Sequence, residues 1–239
     1  MSIAERETIA FVWKDAFLSD AQTAVNAEVK ALYDSLQMTQ NDWLDWLQAV
    51  FHGWLSRFVG DTFFSTMTFY LERLMPVVVN EIKEVIGELP YGWSPEAIRD
   101  TFKLAYLDRL GVRWADSSVG QMAALARDNP EEIVPRLNEW SEKKPGKIQR
   151  NEVTRAAGGL FVSLVFSVGA GLRVKWVTIG HNCAYCNALS GKTIGQHESF
   201  LSAGDKLDPD DGVHEPMKVY SKVGHPPCHA SCNCTVAVA

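Results

Sequence analysis

Apolar residues over the first 172 positions recur at three- and four-residue steps, the period of a helix with one buried face. The clearest run is Trp43, Trp46, Leu47, Val50, Phe51, Trp54, Leu55 and Phe58, which follows a capping signal at Thr39 to Asp42. A helix or helix pair precedes it, with Phe11, Phe17, Val25, Val29 and Leu32 on its apolar side, and a further apolar helix follows over 63–86. Pro76 lies within that helix, where a ring removes a backbone donor and invites a kink, and Gly87 and Pro90 close the stretch. Ser94-Pro95-Glu96 opens the next helix with a cap, a proline at the first turn and an acid at the positive end. That helix is expected to reach Gly111, Asn129-Pro130 to open another, and the polar stretch 142–146 around Pro145 to break the chain before a helix from Lys147.

The period then changes. Val174, Trp176 and Thr178 alternate with Lys175 and Val177 as a strand, Thr193-Ile194 makes a second after a tight turn, and Thr235 to Val238 can close a small sheet. Residues 202–224, rich in Gly, Pro and Asp, read as an irregular loop. The expected fold is therefore mainly α: a helical N-terminal region followed by a small α+β C-terminal module.

Composition adds bounds. The 239 residues suffice for a sizeable core, and 29 acidic against 23 basic residues give a net charge of −6, which does not favour wrapping nucleic acid. The uncharged run 156–172 carries four glycines and two serines, so it reads as a buried helix rather than a membrane span. An odd cysteine count and a charged start at Glu5-Arg6-Glu7, without a signal peptide, point to a reducing cytosol, where metal outranks disulfide as the role of the cysteines.

All five cysteines lie in the last quarter, as Cys183-x-x-Cys186 and then Cys228, His229, Cys232 and Cys234. Matched i, i+3 pairs of soft donors are the means by which a chain offers four ligands tetrahedrally to zinc, and four protein ligands leave no open position, the mark of a structural site. Cys183, Cys186, His229 and Cys232 form the most economical set. Cys234 is the rival, since in an extended stretch it shares a side with Cys232 and a four-cysteine set would leave His229 outside. Cys228 reads as peripheral. The thin apolar content between Gly195 and Cys234 makes metal binding the missing source of order there. His181, His197, His214 and His225, with Asp208, Asp210 and Asp211, are what a metal-dependent nuclease would draw on. The Asp-Pro-Asp-Asp-Gly run lacks the later bidentate Glu of a calcium loop and reads as a solvated turn. Ala157-Gly158-Gly159 is not followed by the Lys-Ser/Thr of a phosphate loop.

Taken in order, Arg150-Asn151-Glu152, the small-residue apolar helix, Lys175-Trp176-Val177-Thr178, Cys183-x-x-Cys186, Leu189-Ser190-Gly191-Lys192 and His229-x-x-Cys232-x-Cys234 resemble the head morphogenesis domain of tailed-phage minor head proteins, the phage Mu F-like family. The resemblance covers residues 115–239, with the zinc module at about 173–239, and leaves 1–114 as a helical region without a recognised motif. Where the family shows Arg-Thr-Glu and His-Pro-Asn-Cys-Arg-Cys, this chain has Asn151, and Ala230, Ser231 and Asn233 between the ligand positions. The resemblance implies a non-enzymatic virion component, made in the host cytoplasm and placed at the portal vertex or capsid interior. Its implied partners are the portal protein and the inner capsid surface, and its implied role is head assembly and DNA ejection. The aromatic stretch 43–74 is expected to dock on the portal or on a second copy of the chain. The competing classes are a zinc-containing nuclease or toxin effector, and a zinc-ribbon nucleic-acid-binding protein supported by Lys143, Lys144, Lys147, Arg150, Arg155, Arg173 and Lys175. No membrane contact is expected.

Overall fold

The computed structural model describes residues 2–169, 171–180, 183–229 and 232–239. Helices α1 (Ser2–Ser35), α2 (Gln40–Trp46), α3 (His52–Ile86), α4 (Pro95–Asp128) and α5 (Ile133–Ser167) account for most of the chain. A π-helical turn at Leu47–Phe51 joins α2 to α3, and a 3-10 turn at Pro130–Glu132 leads into α5. Strand β1 (Val174–Val177), the short helix α6 (Ala184–Leu189), β2 (Thr193–Ile194), β3 (Lys206–Leu207), β4 (Met217–Lys218) and β5 (Thr235–Val238) complete it. The chain is thus mainly helical with a small C-terminal region of short strands. Among the described residues no helix is long and apolar enough to cross a membrane.

The contacts divide the chain into two compact units, Lys14–Thr68 with Lys103–Gln149, and Met1–Trp13 with Phe69–Phe102 and Arg150–Ala239. The first is helical. Phe17, Phe51, Leu55, Phe63 and Trp114 form its core, with the Phe63 ring 6.0 Å from Phe17 and 6.1 Å from Trp114. Thr39 caps α2 through the Asp42 N–H. Trp43 is buried with its Nε1 donating to Ser35 Oγ at 2.7 Å, while Phe64 keeps nearly half of its surface exposed. The Trp46, Phe51, Trp54 and Phe58 rings follow one another from the end of α2 into α3, tilted at 5.0 and 5.7 Å for the first two pairs and stacked at 5.4 Å for Trp54 and Phe58.

Two expected helix ends are absent, for identifiable reasons. Helix α4 continues through Gly111 because that position is a crossing point: a Cβ there would lie 2.1 Å from the carbonyl oxygen of Ser56. Helix α5 runs through Pro145, which is buried, and the preceding residue is fixed by a buried network. Lys144 Nζ donates to both oxygens of the fully buried Glu28 at 2.7 and 2.8 Å and to Ser118 Oγ at 2.8 Å, 3.8 Å from the centre of the Trp140 ring. Trp114 Nε1 donates to the same carboxylate at 2.9 Å. Burial lowers the Lys144 ammonium pKa and Glu28 pulls it back. Tertiary contacts of this kind outweigh the one backbone bond that proline removes.

The second unit carries the strands. Its sheet has the order β2-β1-β5, antiparallel throughout, with Val174 opposite Ile194 and Val238, and Val177 opposite Thr235. Leu160, Phe161, Leu164 and Val165, from the uncharged run at the end of α5, are fully buried here with Trp176, Val174 and Val236. Strand β5 is an edge, and its free side is closed by side chains. Trp176 accepts from Gly191 N–H and donates to Lys192 C=O on the β2 side, so Val236, its β5 partner, turns its polar backbone groups outward. Arg6, buried, donates to Val236 C=O at 2.7 Å and to Thr235 Oγ1 at 3.2 Å. Glu81, 3.1 Å from Arg6, accepts from Val238 N–H at 3.3 Å. The first turns of α1 and the end of α3 thereby supply the partners a further strand would otherwise offer.

Candidate metal centre

The β1–β5 pairing builds the site. Because Val177 at the end of β1 faces Thr235 at the start of β5, the segment leaving β1 and the segment entering β5 meet at one end of the sheet. The first is Cys183-x-x-Cys186, the second Cys228-His229 to Cys232-x-Cys234. Cys183 caps α6, its sulfur accepting the Cys186 N–H at 3.5 Å. That geometry turns Cys186 inward, and buried Leu189 anchors the other end of α6. Gly191, at φ 79°, reverses the chain into β2.

The second segment is seated by a notch in α5. A Cβ on Gly158 would lie 3.1 Å from His225 Nδ1 and 3.2 Å from Pro226 O, and one on Gly159 2.8 Å from Phe102 Cε2 and 3.3 Å from His225 Nε2. The paired glycines therefore serve close approach of the His225-Pro226-Pro227 stretch, with its cis Pro226–Pro227 bond, and through it set the position of Cys228.

The ligand atoms of Cys186, Cys228, His229 and Cys232 all lie within 4.8 Å of one another, a group that could hold a metal ion. Of the donors expected from sequence, Cys186, His229 and Cys232 are in this group. Cys183 is exposed, with its sulfur 2.9 Å from His229 Nε2. Cys234 is buried, outside this group, and interacts with Cys186 and Cys232. Cys228 completes the group, although spacing marks it as peripheral. Adjacent residues diverge in an extended chain, but Cys228 and His229 both lie in a bend, and Cys232 N–H bonds to His229 C=O at 3.4 Å. No local signal in the sequence announces that bend. His229 Nε2 is also 3.1 Å from Cys186 Sγ, which is 3.5 Å from Cys232 Sγ.

Four donors around one ion at bonds of about 2.0–2.3 Å stand about 3.5–3.8 Å apart, so this set fits a tetrahedral soft-metal centre with little adjustment. The charge already leans that way. Hydrogen bonds from Cys186, Cys228 and Cys234 hold the Cys232 thiol far below its ordinary value, and Cys234 is pushed up by its bonds to Cys186 and Cys232. A thiophilic cation binds such a set by displacing thiol protons.

Tyr185 on α6 links the centre to the acidic loop. Its ring lies 6.3 Å from His229 and 5.9 Å from His214, and its hydroxyl donates to Glu215 C=O at 2.6 Å. Asp211 accepts from the His214 and Val213 N–H groups and from His214 Nδ1, which pull its carboxyl down to about 2. Asp208 accepts from Asp210 N–H at 2.9 Å. These acids organise the turn between β3 and β4. His197 is exposed, His225 occupies the glycine notch, and His181 lies outside the described residues. Arg150 is exposed, whereas Glu152 is buried and ion-paired to Arg155 one turn along α5.

Neither a family model, nor a curated protein, nor a solved structure matches the chain.

Proposed function

We propose that this chain is a tailed-phage minor head protein, acting without catalysis, whose C-terminal module is held together by structural zinc. The observation that carries the reading is the convergence of two sequence-distant donor segments onto one end of a small sheet, in the ligand order of the head morphogenesis domain. The donor group contains no carboxylate and closes on itself, which favours a staple over a hydrolytic centre. The nearby acids are engaged in turn-forming hydrogen bonds. With a net charge of −6, nucleic-acid wrapping is the weaker alternative.

In this reading the protein is made in the host cytoplasm and carried into the virion, inside the capsid or at the portal vertex. Its partners are the portal protein and the inner capsid surface, and it assists head assembly and DNA ejection. Co-expression of the tagged chain with the portal and major capsid proteins of its phage tests this. A portal–chain complex, together with the chain in peptide maps of purified virions, is the expected result. A chain missing from virions and unable to retain portal would refute it, and metal-dependent cleavage of DNA would turn the assignment to a nuclease.

A further inference from the structure

The module supplies more soft donors than one closed zinc site uses. With one ion in the Cys186, Cys228, His229 and Cys232 group, Cys183 and Cys234 are left as thiols pressed against its ligands. Cys183 then competes for the same His229 nitrogen, at 2.9 Å, that the ion needs. Cys234 is buried and interacts with the sulfurs of Cys186 and Cys232.

The contacts among the donors are ordered. Cys183 and His229 touch each other on one flank. On the other, the Cys228 sulfur lies within 4.8 Å of those of Cys186 and Cys232, and buried Cys234 interacts with the same two. Cys186 also reaches the first flank, 3.1 Å from His229 Nε2, and the Cys232 sulfur lies within 4.8 Å of a His229 ring nitrogen. Cys186 and Cys232 are thus the two donors common to both sides. They are also among the most enclosed, at 2% and 3% exposure, and their sulfurs are 3.5 Å apart.

We propose that the cluster holds two divalent thiophilic ions that share the Cys186 and Cys232 thiolates, one completed by Cys183 and His229, the other by Cys228 and Cys234. Two four-coordinate ions sharing two donors require six donors, the number this module brings together. Thiolates bridging two ions through bonds of about 2.3 Å stand about 3.5–3.8 Å apart, as Cys186 and Cys232 do. Terminal donors on different ions stand about 6 Å apart by the same bond lengths. Loading therefore parts Cys228 from His229, whose ligand atoms now lie within 4.8 Å. The inference rests on the reading of this cluster as a metal centre and extends it.

Native mass spectrometry of the full chain, loaded with cadmium and exchanged against a weak chelator, counts the ions, and 113Cd NMR reports whether they share ligands. The expected result is two ions per chain and two cadmium resonances coupled to each other. One ion per chain overturns this inference and leaves the metal-centre reading standing; none overturns both. Two uncoupled resonances refute the shared thiolates. Cys234→Ser and Cys183→Ser should each reduce the count from two to one, and a count of two in either variant refutes its assigned ligand.

Discussion

Replacing Arg6 by Ala tests how the sheet is closed. The wild-type guanidinium lies 4.5 Å from the centre of the Phe161 ring, pairs with Glu81 at 3.1 Å and donates to Val236 C=O at 2.7 Å. Burial lowers its pKa, and Glu81 offsets part of that cost. Truncation leaves a buried carboxylate without its cation and a strand carbonyl without its donor. Breaking a buried pair from one side costs about 3–5 kcal/mol, and an orphaned carbonyl about 1–3 kcal/mol more. Fraying of the first turns of α1 can admit water and recover part of that sum, so a net loss of about 3 kcal/mol is expected. Arg6→Met combined with Glu81→Leu removes both charges and should recover about half, because Val236 C=O and Val238 N–H still lose their partners. Chemical denaturation followed by circular dichroism gives the free energies, and hydrogen exchange at Val238 reports the edge directly. A loss below about 1 kcal/mol, or unchanged exchange along β5, would refute the account of edge closure.

Further outcomes follow from single sites. Cys228→Ser should weaken metal binding by at least about 10-fold in competition with a chromophoric chelator, whereas a peripheral cysteine would change nothing. Gly158→Ala should destabilise by about 1 kcal/mol, as overpacking against His225 and Pro226 outweighs the gain in helix propensity, while Gly120→Ala, with open space around it, should stabilise by a similar amount in denaturant melts. Asp20 is half-buried, bonds to Thr66 and has one oxygen without a partner, and its pKa is raised chiefly by burial. A raised carboxyl means the folded chain binds the proton more tightly, so stability from this group is gained as pH falls through its folded value towards 3.8 and is lost above it. Asp20→Asn should therefore melt higher than wild type at pH 7, with the difference shrinking on acidification; a constant difference would contradict the burial cause.

The helical class, the start of α2 at Thr39, the end of α3 at Ile86 and the strands around Trp176 were legible because each rests on local chemistry: a cap, a glycine, or a period of two. Gly111 and Pro145 misled for the opposite reason. Both are local signals for a break, and both are overridden by contacts distant in sequence, the Ser56 carbonyl for one and the Glu28–Lys144 network for the other. The donor cluster was legible as a cluster because its spacings are short-range. The place of Cys228 was not, since it depends on the bend at Cys228 and His229 and on a glycine notch about 70 residues earlier in the chain. Glu152 illustrates the middle case. Its offset from Arg150 excludes that pairing, and the ion pair it does form, with Arg155, lies at a helix-neighbour spacing.

Metal removal followed by hydrogen–deuterium exchange shows whether a bound metal holds the C-terminal module together. The chain purified with zinc is compared before and after a strong chelator, with metal content read on the same samples. Measurable zinc is expected in the untreated chain and, after removal, collapse of protection over 174–194 and 219–238, with little change in the helices over 14–68 and 103–149. A chain that carries no metal as purified, or one whose C-terminal strands keep their protection after the metal is gone, would contradict it.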